Sequence, residues 1–295
     1  MVLYSQMMDI NFKWSDDLGY EKKWTTTHYL SWAASKRFSI GIFESVIWQT
    51  QDSTGYRGFD VGYLSPIIFL RPVEFSNGSP DNVLIGLNMS FIVGKHSTFY
   101  GQLILDEFKL SEYRENNGWW GNKFGWQLGF KSFNIFRIKN LFFQTEFNWV
   151  RPYTYAHERP ITNYGHYNAG IAHPLGANFY ESVNFIKYNY RRFYFKYQFQ
   201  YAQYGLDYDD KNYGKNIYES YNTRVSDYDV KVGQGLLTTV LYHDFTVSWL
   251  INPAYNLNIA LGYTHRSSSN EQRAVNTSFI HFGLRTSLNR FYYDL

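Results

Sequence analysis

The residue types most able to recognise a ligand are concentrated in the predicted loops of this chain. Aromatic faces stack on the C–H groups of sugars, and amide and guanidinium groups hydrogen-bond to sugar hydroxyls. A surface that combines these groups therefore predicts glycan binding. The alternative is that they only pack the loops or anchor the chain at a membrane interface, as Trp and Tyr commonly do. The candidate glycan-binding residues are Trp119, Trp120, Arg151, Tyr153, Tyr155, His166, Asn168, His173 and Asn178.

Metal-dependent and catalytic chemistry have less support. His157, His166 and His173 share one loop, but their spacing matches no known metal-ligand pattern, so we predict no metal site. Residues 207–210 (Asp-Tyr-Asp-Asp) lack the glycine and the distal Glu of a calcium loop. Residues 242–244 (Tyr-His-Asp) supply parts of a hydrolase without a recognisable arrangement. Cysteine is absent, which excludes a thiolate nucleophile, so we predict neither an enzyme nor a cofactor.

A second set of polar side chains alternates with apolar ones along the predicted strands. Carboxylate, ammonium and amide groups share this set, so oppositely charged members can pair across neighbouring strands. We favour a filled interior because many members are bulky and both signs of charge occur, and a channel lining is the alternative. The predicted lumen-lining residues are Gln102, Asp106, Lys123, Gln127, Lys131, Gln144, Glu146, Lys196 and Gln198.

Strands with a period of two would have to position these groups. Between residues 81 and 151 we predict four strands in two hairpins, each alternating for about ten residues. In the third of them, Phe124, Trp126, Leu128 and Phe130 alternate with Lys, Gly and Gln. Strands of roughly 9–11 residues with aromatic ends suit a tilted membrane crossing, and only helices or closed barrels satisfy their backbone groups in lipid. This pattern predicts an all-β, antiparallel transmembrane up-and-down β-barrel.

The connections between predicted strands alternate in length. Those near 94–97, 132–137, 190–192 and 252–255 are short, whereas those at 109–121, 151–178, 205–234 and 267–274 are long. Short periplasmic turns and long extracellular loops are typical of outer-membrane barrels. Residues 49–80 form a further excursion whose apolar middle predicts an extended or plug-like insertion into the mouth or lumen. We count about twelve strands in a single domain, residues 1–295.

Composition agrees with this class. Aromatic residues make up 21% of the chain, which fits interface girdles of Tyr and Trp. The net charge is only +3 and basic residues form no run, so nucleic-acid binding has no support. No signal-peptide pattern opens the sequence, because Ile10, Phe12 and Trp14 already alternate as in a strand. We therefore expect the C-terminal part of a larger barrel, with N-terminal strands missing.

Three loop regions carry a family resemblance. They are residues 63–74 (YLSPIIFLRPVE) with 78–82, residues 106–109 with 118–125 (GWWGNKFG), and residues 151–155 with 163–168 and 172–178. Over nearly the whole chain from Arg37 onward, they resemble the Bacteroidetes branch of the Wzi-type capsule-assembly outer-membrane proteins, which includes the gliding-associated protein RemB. The resemblance implies a lectin-like barrel that holds capsular polysaccharide at the cell surface, with more strands than are counted here.

These observations predict an outer-membrane barrel of a Gram-negative, Bacteroidetes-like bacterium. The expected role is to bind or tether capsule or exopolysaccharide, in contact with outer-membrane lipid and possibly with gliding or export machinery. The alternative is a porin-like diffusion channel for small solutes. The sequence leaves the identity of the polysaccharide and the state of the lumen open.

Overall fold

The computed structural model describes residues 1–15, 19–52, 55–64 and 81–286, without the side chains of residues 13–15 and 52. Twelve strands form one antiparallel sheet in which each strand pairs with its neighbours in the chain. The predicted count of about twelve strands is confirmed. The strands are β1 Val2–Ser15, β2 Gly19–Trp32, β3 Phe38–Gln49, β4 Asn82–Val93, β5 Ser97–Glu107, β6 Lys123–Phe133, β7 Leu141–Val150, β8 Phe179–Tyr190, β9 Phe193–Leu206, β10 Leu236–Asn252, β11 Leu257–Ser269 and β12 Ala274–Arg285.

The connections alternate in length around the sheet, as predicted. All the long ones leave one end of the strands, here called the mouth, and the short turns lie at the other end. The ends of the sheet order are β1 and β12, and no pairing between them occurs in the described parts of the chain. The prediction of missing N-terminal strands stays a prediction.

The connections hold little regular structure. One α-helix, α1, spans Leu110–Glu115, and 3₁₀ helices span Val61–Leu64, Ile135–Arg137, Pro160–Thr162 and Tyr221–Thr223. Two short hairpins pair Gln51–Asp52 with Gly55–Tyr56 and Gly165–His166 with Ala169–Gly170. Among the described residues, no helix has the length and apolar character needed to cross a membrane.

One face of the sheet presents large apolar side chains to the exterior. An exposed apolar belt of this extent is unstable in water and stable against lipid acyl chains, whereas two stacked sheets would have buried it. The fold is therefore an all-β membrane barrel of the outer-membrane type. Exposed members of the belt include Phe99, Leu128, Phe147, Ile186, Phe193, Phe245, Trp249, Leu261 and Phe282.

The opposite face is concave and encloses a small apolar core near the mouth. Leu84 of β4, Ile104 of β5, Val150 of β7 and Phe179 of β8 belong to one buried cluster around Tyr155. A flat sheet would spread β4 and β8 over about 19 Å, at 4.7–4.9 Å per strand. The four side chains meet one ring because the sheet curls around the chain segment that carries it.

Glycines on the concave face make room for aromatic rings from neighbouring strands. Gly86 lies opposite Phe43, and Gly129 lies opposite Tyr100, in the strand register. A Cβ atom at either glycine would overlap the facing ring. This explains why glycine is frequent among the polar positions of the strands, since a ring that lies across a glycine keeps the inner wall compact.

The first long excursion covers the outside of the wall. We call its described residues, 50–52 and 55–64, the cover loop. The ring of Tyr63 lies 4.7 Å from that of Trp48 of β3, and Trp48 Nε1 donates to the Gly58 carbonyl (3.0 Å). Trp48 has the outward parity, so these residues lie outside the barrel. This corrects the predicted insertion for the described part, whereas residues 65–80 lie outside the described residues and their plug-like role stays a prediction.

Candidate functional site

A different excursion enters the barrel. Residues 151–178, here called the plug loop, lie against the concave face at the mouth. Asn163 Nδ2 donates to Asp9 Oδ2 of β1 (2.9 Å), and Lys23 Nζ of β2 donates to the carbonyl and Oδ1 of Asn163 (2.8 and 2.9 Å). Asp9, Lys23 and Asn163 are all buried. The charged groups are therefore hydrogen-bonded where solvent is excluded, which burial of charge requires.

The plug loop is also tied to the other side of the wall. His173 Nε2 lies 2.7 Å from Glu181 Oε1 of β8, and the His173 ring stacks on Phe179 at 4.4 Å between centroids. The end of the loop is bound to residues 207–235 through Asn178, whose Nδ2 donates to the Gln234 carbonyl (2.9 Å). The loop thus connects β1 and β2 with β8 across the interior, and it closes much of the mouth.

Beside the plug loop, two neighbouring strands of the wall diverge. The pairing of β4 with β5 ends at Ile85 and Leu105, although β4 begins at Asn82 and β5 continues to Glu107. Over these last residues β4 pairs only with β3, and Glu107 pairs with Lys123 of β6. The result is a gap of about three residues, or roughly 10 Å along the strands, at the mouth end of the wall.

A cavity of about 630 Å³ occupies this gap. Its lining includes groups of both parities: Asn82, Asp106 and His157 come from the inside, whereas Val83 and Leu105 come from the apolar outer face. An aromatic face, a carboxylate, an amide and an imidazole surround one space, which suits a ligand rich in hydroxyl groups. The lining residues are Asp81, Asn82, Val83, Ile85, Leu105, Asp106, Glu107, Phe108, Lys109, Trp119, Gly121 and His157.

The charges beside the cavity are largely paired. Lys123 Nζ lies 3.1 Å from Asp106 Oδ2 and 3.1 Å from Glu107 Oε1, and the backbone N–H of Tyr155 also donates to Asp106 Oδ2 (2.8 Å). The other oxygen, Asp106 Oδ1, is buried and accepts no hydrogen bond from the described residues. A buried carboxylate oxygen without a donor is costly, so Asp106 can accept from a bound hydroxyl group.

His157 supplies the complementary group. Burial, with the nearby cations Lys123 and Arg159, lowers the pKa of His157 to about 3, so the ring is neutral at physiological pH. The backbone N–H of Arg159 donates to His157 Nδ1 (3.4 Å), and Thr162 Oγ1 lies 2.7 Å from the same nitrogen. This network assigns the ring proton to Nε2, which makes His157 a donor. The lining thus offers both an acceptor and a donor to a hydroxyl group.

Trp119 is held by its backbone, which leaves its ring at the cavity. Arg151 Nη2 donates to the Trp119 carbonyl (3.0 Å), and Asn117 Oδ1 accepts from the Trp119 N–H (3.0 Å). Lys109 Nζ lies 5.5 Å from the centroid of the Trp119 ring. Trp120 has a different environment, because Arg224 lies 4.1 Å from its ring centroid. Trp120 therefore packs the loops together, and only Trp119 lines the cavity.

The predicted glycan residues separate into three groups. Tyr153, Tyr155 and Asn178 are buried as packing and hydrogen-bonding groups of the plug loop, Arg151 and His173 are half-buried, and Trp120 is stacked between loops. His166 and Asn168 are exposed, in the plug-loop hairpin beside β1, where the Met8 N–H donates to His166 Nδ1 (3.2 Å). Only Trp119 belongs to the cavity, so the nine residues do not form one surface.

The residues predicted to line the lumen lie on the concave face, and several pair across strands. Tyr100 Oη donates to Glu146 Oε2 (2.8 Å) and accepts from Gln144 Nε2 (2.9 Å), and Lys196 Nζ lies 3.5 Å from Asp244 Oδ1. Gln102 and Gln127 face each other in the register of β5 and β6, as do Lys131 and Gln144 in that of β6 and β7, and Gln198 and Asp244 in that of β9 and β10.

The candidate catalytic residues 243 and 244 lie on opposite faces of β10. His243 Nδ1 is 2.8 Å from the Tyr197 hydroxyl on the outer face, whereas Asp244 Oδ2 accepts from Thr264 Oγ1 (2.8 Å) on the inner face. Adjacent residues of a strand point to opposite sides. This geometry does not assemble the two side chains into one nucleophilic site.

Sequence reasoning did not select several of the cavity residues. Asp81, Asn82, Glu107, Phe108 and Lys109 were parts of the runs that carry the family resemblance, but they were not chosen as site residues. Their shared signal was a position at the mouth end of β4 or β5. The sequence could not reveal that these two strands diverge there.

Comparison with known proteins adds little about this site. No family model matches the chain, and no curated protein matches it. Among solved structures, a crystal structure of the NanC porin covers 97% of this chain and 99% of its own, with 8% sequence identity and a TM-score of 0.32. A likeness at this level supports no argument about the residues of the cavity.

Proposed function

We propose that this protein is a non-enzymatic, largely plugged outer-membrane barrel that binds surface polysaccharide at the cavity between β4 and β5. The role would be to tether or help assemble capsule or exopolysaccharide. The sequence resemblance supports a Bacteroidetes-like source and leaves open a link to gliding or export machinery. One observation carries the proposal: an aromatic face, Trp119, lies in a cavity that also holds an unpartnered carboxylate oxygen of Asp106.

The plug loop supports retention of a ligand over transport. Its ties to β1, β2 and β8 occupy the mouth, and the apolar cluster around Tyr155 fills the space beneath them. A large solute that reached the mouth would meet packed side chains. A binding site at the rim, by contrast, is accessible to a long polymer without passage through the barrel.

A diffusion channel is the second candidate, favoured by the exposed inner groups below the plug. Gln102 and Lys131 are exposed on the concave face, as is nearly half of the Lys196 side chain. Single-channel conductance separates the two functions. A large steady current from the purified wild-type protein would favour the channel, and occasional or no current fits a plugged barrel.

The direct test is binding of purified soluble polysaccharide from the producing strain to the Trp119→Ala variant. We expect a loss of at least about ten-fold in affinity, equivalent to about 1.4 kcal/mol, because one stacking face is removed. Capsule retention on cells that carry the variant should fall in parallel.

Trp126→Ala is the matched control, because Trp126 lies on the outer face and does not line the cavity. It removes the same side chain from the same loop-and-strand region and should leave polysaccharide affinity unchanged. Equal affinity of the wild type and Trp119→Ala would contradict the proposal.

A further inference from the structure

The cavity is a passage through the barrel wall as well as a depression in its rim. Val83, Ile85 and Leu105 reach it from the outward-facing set, whereas Asn82, Asp106 and His157 reach it from the concave side. Residues of both faces can line one space only where the ladder between the strands is interrupted. The pairing between β4 and β5 ends at Ile85 and Leu105, which is where this interruption begins.

The passage opens at the height of the lipid headgroups. Trp126 of β6 pairs in register with Trp149 of β7 and with Leu103 of β5, and the two indole rings stack at 6.2 Å. Outward Trp residues in barrels mark the membrane interface. Leu105 lies two residues, or about 7 Å, closer to the mouth than Leu103. The apolar edge of the passage therefore lies just above the acyl region of the outer leaflet.

The two ends of the passage differ in polarity. The bilayer side is lined by Val83, Ile85 and Leu105, and Phe108 is also 40% exposed there. The inner side holds Asp106, whose Oδ1 has no donor among the described residues. An amphiphile would place its acyl chains along the first side and its headgroup in the second.

The charges favour an uncharged headgroup. The lining contains three carboxylates, Asp81, Asp106 and Glu107, and Lys109 is its one basic residue among the described residues apart from the neutral His157. A phosphate-bearing headgroup would meet an excess of negative charge. A sugar headgroup offers hydroxyl groups that donate to Asp106 and stack on Trp119.

From this geometry, and resting on the proposed function, we infer that the substrate is a lipid-anchored glycan with an uncharged sugar headgroup, which enters the site sideways from the outer leaflet between β4 and β5. The barrel would then hold polysaccharide by the end that is attached to lipid.

The test compares a glycolipid with its free headgroup. Digalactosyldiacylglycerol, phosphatidylglycerol with the same acyl chains, and free galactobiose are added to the detergent-solubilised full chain, and bound molecules are counted by native mass spectrometry. We expect digalactosyldiacylglycerol to bind at least about ten-fold more tightly than either of the others. Equal binding of both lipids would show acyl-chain contact alone and overturn the inference.

The route of entry is tested by blocking the outer face below the passage. The chain has no cysteine, so Leu103→Cys can be labelled at one position with fluorescein maleimide. Labelling should lower binding of digalactosyldiacylglycerol at least about ten-fold and leave galactobiose binding unchanged, and the unlabelled variant should bind as the wild type does. Ile280→Cys on β12, which is exposed on the outer face away from the cavity, is the matched control. Unchanged glycolipid binding after labelling of Leu103→Cys would overturn the inference.

The outcomes separate this inference from the function on which it rests. If galactobiose and the glycolipid bind equally and both weaken in Trp119→Ala, the glycan function stands and entry from the membrane is wrong. If Trp119→Ala leaves every sugar ligand unaffected, both proposals fall.

Discussion

Two long excursions leave the same end of the barrel and lie on opposite faces of its wall. The plug loop meets the concave face mainly through polar groups, with Asn163 bonded to Lys23 as its central contact. The cover loop meets the outer face mainly through rings, with Tyr63 on Trp48. Both are rich in aromatic residues, so composition does not distinguish them. The side of the wall that each one covers is decided by its partners on the strands.

Two consecutive residues of β2 show the reason for this difference. Lys23 points inward and bonds to the plug loop, whereas Trp24 points outward and lies 5.3 Å from Phe59 of the cover loop. Successive side chains of a strand alternate between faces. A loop whose anchor is an amide therefore pairs with the inward set, and one whose anchor is a ring pairs with the outward set. The comparison predicts that each loop can be loosened without the other.

The largest effect should come from the cover loop. Trp48→Ala removes a fully buried ring that contacts Tyr63 and bonds to the Gly58 carbonyl. We expect a loss of about 3–5 kcal/mol in the free energy of unfolding, as for other buried aromatic truncations. Urea unfolding in phospholipid vesicles measures this loss.

Single-channel conductance of Trp48→Ala should stay at the wild-type value, because the cover loop lies outside the lumen. Trp32→Ala, at an exposed outward position of the same hairpin, is the control and should cost little. A rise in current in Trp48→Ala would mean that the cover loop also controls the mouth, and the distinction between the two loops would fail.

A somewhat smaller effect should come from the plug loop. Asn163→Ala deprives the buried Lys23 ammonium group of one of its two acceptors and removes the bond to Asp9, which should destabilise the plug by about 3 kcal/mol. Hydrogen exchange of amides in residues 151–178 should accelerate, and conductance should rise. Asn168→Gly, in the exposed turn of the same loop, should change neither, because glycine tolerates the positive φ of 61° found there. Unchanged exchange in Asn163→Ala would contradict the assignment of this anchor.

The smallest effect should be a pH dependence of the plug loop. The pKa of His157 is lowered to about 3 in the fold, against about 6.5 for a free imidazole. Between these values the unfolded loop binds a proton that the folded loop does not, so stability rises with pH and falls on acidification, by at most about 1.4 kcal/mol per pH unit. Hydrogen exchange at pH 7 and pH 5 measures this slope.

His157→Asn is the matched variant for the pH effect, because an amide oxygen can replace Nδ1 as acceptor without titrating in this range. The variant should lose most of the slope between pH 7 and pH 5. An equal slope in the wild type and His157→Asn would assign the pH dependence to other groups.

Much of the wall could be predicted from the sequence, whereas the arrangement of the loops could not. Alternation placed Trp126 outward and Gln127 inward, and the structure agrees, because parity within a strand is a local property of the extended backbone. The buried roles of Tyr153 and Asn178 were not predicted. Their partners, the Asn212 carbonyl and the Gln234 carbonyl, lie 59 and 56 residues away in the chain. No local pattern records such a contact.

The candidate site was predicted in one residue of its lining, Trp119, and in one polar group assigned to the lumen, Asp106. Both belong to one cavity because β4 and β5 separate near the mouth. Asn82 and Lys109 join them for the same reason, although nothing in their neighbours along the chain marks them. A divergence between two strands depends on what each strand pairs with on its other side.

The sequence by itself determined the class of this protein: a period of two with apolar residues on one side requires a closed or curled sheet in lipid, and the alternation of connection lengths sets the mouth. Only the tertiary structure decided which loop enters the lumen, which covers the wall and where the wall opens. The physical reason is that strand parity is set by each residue's own backbone, whereas plugging, covering and strand separation are set by contacts between segments far apart in the chain.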